Sequence, residues 1–205
     1  MEPEIGMTVV AATQNQHKIQ EIEAITRPLG IRVKSLGEMG LSHIQVVEDG
    51  DTFEANSLKK AMVIHRACGL PALADDSGLM VDALSGAPGV FSARFAGEEA
   101  DDHRNNEKLL ALMQEIPWEK RGAQFVSVIT MVFPGEEILV ARGECPGRLL
   151  FERRGEGGFG YDPLFLPLGF DLSFGEMKAE EKNRISHRAR ALAVLADRLR
   201  ERGGI

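Results

Sequence analysis

Positive charge is in short supply in this 205-residue chain: 24 lysines and arginines face 31 aspartates and glutamates, a net charge of −7. Binding to DNA or RNA needs a basic face that displaces condensed counterions, so the chain is expected to have no nucleic-acid partner. Any polyphosphate must meet a local basic cluster. Cysteine is nearly absent; Cys68 and Cys145 lie far apart, match neither zinc-knuckle nor CxxC spacing, and read as reduced thiols in a cytosol. No run approaches the roughly 18 apolar residues of a membrane span, and residues 1–6 lack the basic region and apolar core of a signal peptide. The expectation is an untargeted, cytoplasmic protein with no membrane partner. Repeats and low-complexity segments are missing too. So is the G-x-S-x-G elbow of serine hydrolases, which removes the adjacent Ser186 and His187 as a nucleophile signal. What remains is ordinary globular composition, 43% hydrophobic and 27% charged, enough for a single domain over residues 1–205.

The apolar pattern gives a mixed α/β chain, alternating first and antiparallel later. Residues 8–13 are a short β-rich run, and Asn15 precedes a helical stripe of Ile19, Ile22, Ile25 and Leu29. Residues 31–36 read as a second strand. Thr52 is placed to cap a helix with Phe53, Leu58, Ala61, Met62 and Ile64 on its apolar side. Residues 70–74 return as a strand with two aspartates at its far end. Asp101 starts a helix burying Leu109, Leu112, Met113 and Ile116, closed by Pro117. Residues 124–133 and 138–142 form a hairpin about a Pro-Gly turn, residues 164–166 a short strand, and Ser186 caps a last helix with Leu192, Leu195 and Leu199 in the core.

Four constellations carry chemistry. Asp75-Asp76-Ser77-Gly78 follows an apolar run, the composition of a Mg²⁺ site beside phosphates, since Mg²⁺ takes one or two carboxylates plus phosphate and water oxygens. The same residues are good turn chemistry. Glu48, in a polar loop, is placed to complete the metal sphere, with solubility as the plainer reading. Thr13-Gln14-Asn15-Gln16-His17-Lys18 lies between a strand and a helix start, where free N–H groups and the dipole favour an anion, although Asn15 also reads as a simple cap. Asn56, Lys59 and Lys60 sit in the early turns of the next helix; lysines there are usually solvated. Residues 155–163 contain a formal G-x-G-x-x-G, but Pro163 and an apolar run follow instead of a helix, which excludes a dinucleotide fingerprint. A glycine-rich loop with Phe159, Gly160, Tyr161 and Asp162 suits a flat heterocycle, or a tight loop with its aromatics in the core. Lys182, His187 and Arg188 gather at the mouth of the last helix, where cations oppose the macrodipole.

Ala-Asp-Asp-Ser-Gly-Leu, Gly-Ala-Pro-Gly-Val-Phe-Ser-Ala-Arg-Phe-Ala-Gly, Gly-Gly-Phe-Gly-Tyr-Asp-Pro and Ile-Ser-His-Arg, in this order, resemble the inosine triphosphate pyrophosphatases, also called XTP/dITP diphosphatases. The similarity runs from about Val9 to the final helix. It implies an elongated, two-lobed α/β subunit with a central mixed sheet flanked by helices, a substrate cleft between lobes, and a homodimer. It also implies Mg²⁺-dependent hydrolysis of ITP, dITP and XTP to the monophosphate and pyrophosphate.

Carried over, Thr13, Asn15 and Lys18, with Gln14, Gln16 and His17 among them, match the family's phosphate-binding start, and Lys60 the lysine of its second helix. Asp76 matches the proton acceptor and metal ligand, Asp75 stands beside it as a second catalytic candidate, and Glu48 takes the place of a further ligand. Ser77 matches a substrate contact. Phe159, Gly160, Tyr161 and Asp162 match the base loop, and Lys182, His187 and Arg188 the purine's oxygenated edge. Two positions depart from the pattern: Gln14 stands where many members have glycine, and Ala55 where many have glutamate. Two other readings remain open on the residues alone, a pyrophosphatase for another base and a nucleotide sensor that does not cleave. The paired carboxylates speak against the sensor, since anion binding gains nothing from added negative charge unless a metal is wanted.

Overall fold

The computed structural model describes residues 6–99 and 101–203. Six strands form one sheet in the order β2-β1-β3-β4-β5-β6. They are β1 (Met7–Ala11), β2 (Ile31–Lys34), β3 (Ala72–Val81), β4 (Gly122–Val132), β5 (Ile138–Leu149) and β6 (Phe165–Pro167). β1 runs parallel to β2 and β3, with Val9 opposite Val33 and Ala11 opposite Leu73, while β5 and β6 are antiparallel, so the sheet is mixed. The helices are α1 (Gln16–Thr26), α2 (Phe53–Cys68), α3 (Asp102–Leu112), α4 (Ala179–Ile185) and α5 (His187–Glu201). The chain packs as two compact units, and the boundary between them cuts β3 between Asp76 and Ser77.

The first unit holds the chain up to Asp76, Ser127–Gly143 and the chain from Arg188. Its central strands are buried on both faces, which is why Val9, Val10 and Ala11 of β1 are apolar without alternation. Val9 and Ala11 enter one cluster with Ile19, Ile22, Leu73, Leu192 and Leu195, and Val10 and Ala12 enter another with Ala61, Ile64, Ala72 and Ala74. Side chains alternate across a strand, so this division also fixes where every other residue of β3 points. The caps fall where the sequence put them: Asn15 Oδ1 accepts the His17 and Lys18 N–H groups at 3.0 and 3.2 Å, and Thr52 Oγ1 accepts that of Ala55 at 3.1 Å.

The second unit comprises Ser77–Val126 and Glu144–His187. Phe125, Phe165 and Phe174 pack ring against ring in a core with Leu79, Leu109, Met113 and Tyr161. Arg121 is buried there and donates to the carbonyls of Met113, Ile116, Leu149 and Leu150, four acceptors at the ends of α3 and β5.

Three expectations need correction. β3 does not stop at the aspartates but runs through them to Val81. Leu112 is 49% exposed, because Leu109 and Met113, four apart, take the core-facing stripe and Leu112 is turned about 100° away from Met113. A short helix, α4, precedes the last one, and Lys182 lies in its final turn, where a cation suits the dipole. The charge that looked misplaced in the sequence is favourable at that position.

Candidate active site

Because β3 continues through Asp75 and Asp76, the two neighbours leave it on opposite faces. Asp75 shares the face of Leu73, toward α1 and α5; Asp76 shares the face of Ala72 and Ala74, toward α2. Each carboxylate therefore meets a different set of cations.

Asp75 is 1% exposed. Its Oδ1 accepts from the Ser127 hydroxyl at 2.5 Å, and its Oδ2 pairs with Lys18 Nζ at 2.8 Å and Arg188 Nη2 at 2.9 Å. Arg188, itself fully buried, also pairs with Glu21, three residues beyond Lys18 on α1. Burial works against the charge on Asp75, but Arg188 and Lys18 overcome it and hold the carboxyl well below its ordinary value. The same two acids hold the Arg188 guanidinium firmly protonated against its burial. The Arg188 guanidinium is the countercharge that a dry Asp75 requires.

On the other face, Lys60 Nζ donates to Asp76 Oδ1 at 2.9 Å, Glu48 Oε2 at 3.0 Å and the Asp75 carbonyl at 3.0 Å. All three ammonium protons are taken up by protein oxygens. Lys60 is buried, whereas Lys59 pairs with Asp49 at the surface. Asp76 Oδ2 is buried and has no hydrogen-bond donor. Burial, with Glu48 adding to it and Lys60 opposing, raises the Asp76 carboxyl to about 6. Burial of Glu48 pushes the same way, but Lys60, the neighbouring Asp76 carboxyl and Lys18 together outweigh it, and its carboxyl lies below the ordinary value.

An orphaned buried oxygen on one carboxylate, with a second carboxylate beside it, fits a hard oxygen-seeking cation such as Mg²⁺. Among the described residues no cluster of three His, Cys, Asp or Glu side chains has metal-site geometry. Two carboxylates suffice for Mg²⁺ because the ion keeps several waters, and phosphate oxygens join the sphere when nucleotide is bound.

The segment between β1 and α1 is shaped by its own polar side chains. Thr13 Oγ1 accepts the Asn15 N–H at 3.1 Å, and Gln14 Nε2 reaches the Ser42 carbonyl at 3.0 Å. Gln14, Asn15, Gln16 and His17 are exposed, and Lys18 points back to Asp75.

In the second unit, Asp162 organises the glycine-rich loop. Its Oδ2 accepts the Phe159 N–H at 2.9 Å and Lys182 Nζ at 2.6 Å, and the ammonium stands 4.8 Å from the Phe159 ring centre. Asp102 accepts the Gly160 N–H and Asn106 donates to the Gly160 carbonyl, so α3 grips both sides of one residue. Phe159 is half-buried. Tyr161 is in the core, its hydroxyl donating to the Ser92 carbonyl at 2.8 Å and its pKa raised by burial and by Asp102. Of the two aromatics the sequence offered for stacking, only Phe159 keeps an accessible face. His187 is buried and stacks on Phe125 at 4.7 Å, and Ser77 is half-buried on β3.

The sequence reading missed Glu21, Ser127, Asp102 and Asn106. Glu21 had a faint signal, its three-residue spacing from Lys18. Ser127 lies inside a strand with nothing local to mark it.

Fold and centre together define a mixed α/β protein with carboxylate–lysine groups built across the middle strand of its sheet. Residues 9–198 match the model of the Ham1 family, and the chain belongs to that family. The dITP/XTP pyrophosphatase of Desulforamulus reducens is 50% identical over 186 residues, 91% of this chain and 92% of that protein. That of Geobacter sulfurreducens is 49% identical over 191 residues, 93% and 96% of the two chains. Among solved structures, a HAM1 protein from Coxiella burnetii has a TM-score of 0.85 at 38% identity, covering 95% of this chain and 99% of that one. The nucleoside-triphosphatase / dITP/XTP pyrophosphatase of Mycobacterium abscessus has a TM-score of 0.74 at 42% identity, covering 92% and 98%.

Proposed function

We propose that the chain hydrolyses nonstandard purine nucleoside triphosphates (ITP, dITP and XTP) to the monophosphate and pyrophosphate, removing them before they enter DNA or RNA. Relatives at 49% and 50% identity carry the name dITP/XTP pyrophosphatase. The observation that carries the reading is Asp76, a buried carboxylate with a raised pKa and one oxygen unengaged, beside Glu48 and Lys60.

Glu48 and Asp76 hold Mg²⁺ in this reading, and the ion when bound lowers the pKa of a coordinated water and offsets phosphate charge. Asp76 orients the attacking water and takes its proton as the oxygen bonds to the α-phosphorus and the pyrophosphate leaves. Lys18 faces the leaving pyrophosphate, and Thr13, Gln14, Asn15, Gln16 and His17 form the rest of the phosphate loop. Lys60 keeps the Glu48 and Asp76 carboxylates close together. Asp75 and Arg188 are positioning residues, since their charged atoms are buried: Asp75 holds Lys18 from behind, and Arg188 holds Asp75.

Phe159 stacks on the base, backed by Gly160, Tyr161 and Asp162, with Ser77 as a further contact. Lys182 and His187 donate to the 6-oxo group. Adenine carries a donor at that position, and a donor facing donors in a buried site discriminates by roughly 10⁴-fold. The homodimer and the cytoplasmic setting belong to the same proposal; among the described residues no helix is long and apolar enough to cross a membrane.

The test is pyrophosphate release with Mg²⁺ from ITP, dITP, XTP, GTP, ATP and dTTP, with the second product identified. Turnover of the inosine and xanthine forms to monophosphates is expected. Preference for another base would remove the roles given to Lys182 and His187, and tight binding without turnover would make the protein a sensor.

A pH effect follows from Asp76. A divalent cation must displace the proton that the carboxyl holds up to about pH 6. Apparent Mg²⁺ affinity of the nucleotide-free protein is therefore expected to fall about tenfold per pH unit below that value and to level off above about pH 7. Calorimetric Mg²⁺ titration across this range checks it. Between the unfolded value near 3.8 and about 6 the folded chain holds the extra proton, so the metal-free protein loses stability as pH rises through this window.

A further inference from the structure

We propose that Asn56 is a positioning residue for the metal site, fixing the loop that carries Glu48, an inference that rests on the reading of Glu48 and Asp76 as the metal carboxylates. Glu48 lies in a stretch, residues 44–50, with no helix or strand to set its path. Something else must hold its carboxylate beside Asp76. Three consecutive loop residues meet one face of α2: Glu48 pairs with Lys60 at 3.0 Å, Asp49 with Lys59 at 2.6 Å, and Gly50 with Asn56. Helix positions 56, 59 and 60 are spaced by three and four, so they share a side, and the loop runs down that side in reverse order.

The three contacts differ in what they can fix. Lys59 and Asp49 are exposed, with side chains 41% and 65% accessible, and such a pair constrains little. The Lys60 contact reaches Glu48 only at its charged end, the same end a cation would take. Of the three, the Asn56 contact is the one made to the loop's backbone. Its Oδ1 accepts the Gly50 N–H at 2.8 Å and its Nδ2 donates to the Gly50 carbonyl at 3.4 Å, as a peptide group of a neighbouring strand would. Asn56 is 1% exposed, so its amide is shielded from water on the helix side of both bonds. Gly50 is pressed against the helix: a Cβ there would stand 2.7 Å from Asn56 Oδ1 and 2.9 Å from the Ala55 Cβ. The loop is thus clamped two residues from Glu48 by a neutral contact that no change in site charge undoes.

Groups that orient a ligand without touching the metal typically govern affinity by about 10- to 100-fold. The experiment is calorimetric titration of nucleotide-free protein with Mg²⁺ for the parent, Asn56→Ala, Gly50→Ala and Glu48→Gln, with thermal melts to confirm folding. Asn56→Ala and Gly50→Ala approach the clamp from its two sides, so either alone serves if the other does not fold. Both are expected to weaken Mg²⁺ binding by about tenfold or more. With dITP they should raise the Mg²⁺ concentration for half-maximal rate and return to within about twofold of the parent kcat at saturating Mg²⁺. A merely structural role would not give that separation. Parent-like Mg²⁺ binding in both, with Glu48→Gln weakened, overturns the clamp and leaves the metal reading standing. Parent-like binding in Glu48→Gln as well overturns the metal reading and the clamp with it.

Discussion

Asp76→Asn is expected to lower kcat for dITP by on the order of 10³, the range seen when a positioned proton acceptor is lost, while the protein folds as well as the parent or better. The two halves have one cause. Burial makes the ionised Asp76 costly in the folded chain, as its pKa of about 6 records. An amide of the same shape removes that cost, can still accept from Lys60, and gives the orphaned oxygen's position a group that need not be ionised. It cannot take a proton from water, and it binds a divalent cation poorly. Functional groups of this kind trade stability for activity. Steady-state pyrophosphate release together with a thermal melt reads both effects. Unchanged turnover would remove Asp76 from the chemistry, and a large fall in melting temperature would show that the carboxylate stabilises the fold.

Arg188→Met should do the reverse on stability, at a cost of about 3–5 kcal/mol, because it leaves a buried carboxylate without its main countercharge. For a chain of this size that corresponds to a fall in melting temperature of about 6–20 °C. Asp75 would keep Lys18 and Ser127 but lose the guanidinium at 2.9 Å, and Glu21 would lose the same partner. Arg200→Ala, which breaks only the exposed pair with Asp197, is the control and should stay within about 0.5 kcal/mol. The acid limb separates this account from simple loss of packing. In the parent, Asp75 is held well below its ordinary value, so its contribution is complete above about pH 4 and disappears only as pH falls through the lowered pKa. In Arg188→Met that pKa rises toward the unfolded value, so the part of the stability that acid removes below about pH 4 should shrink. Urea midpoints between about pH 2 and pH 7 measure the change. A double-mutant cycle with Asp75→Asn should return a large coupling, since the two side chains share one buried contact.

Much of this protein is written in local sequence. Asn15, Thr52 and Asp101 stand before apolar stripes and cap α1, α2 and α3, because an N-cap needs only a short polar side chain and the next few N–H groups. The β-rich run at residues 8–13 announced a strand. The order of four motifs announced the family. None of these depends on residues far away in the chain.

What the sequence could not decide is where charged groups point and which of them are dry. Asp75 and Asp76 looked like a pair at a strand end; the extra length of β3 makes them opposite faces of one strand. Lys59 and Lys60 are equivalent by composition, yet one helix rotation leaves the first in water and carries the second against Asp76. Phe159 and Tyr161 share a loop, yet only one keeps an accessible face. Arg188 reaches Asp75 across 113 residues of chain. Capping and periodicity are set within a few residues, so sequence determines them. The countercharge of a buried carboxylate is chosen by whichever elements the packed core brings within about 3 Å, and only the tertiary structure decides that.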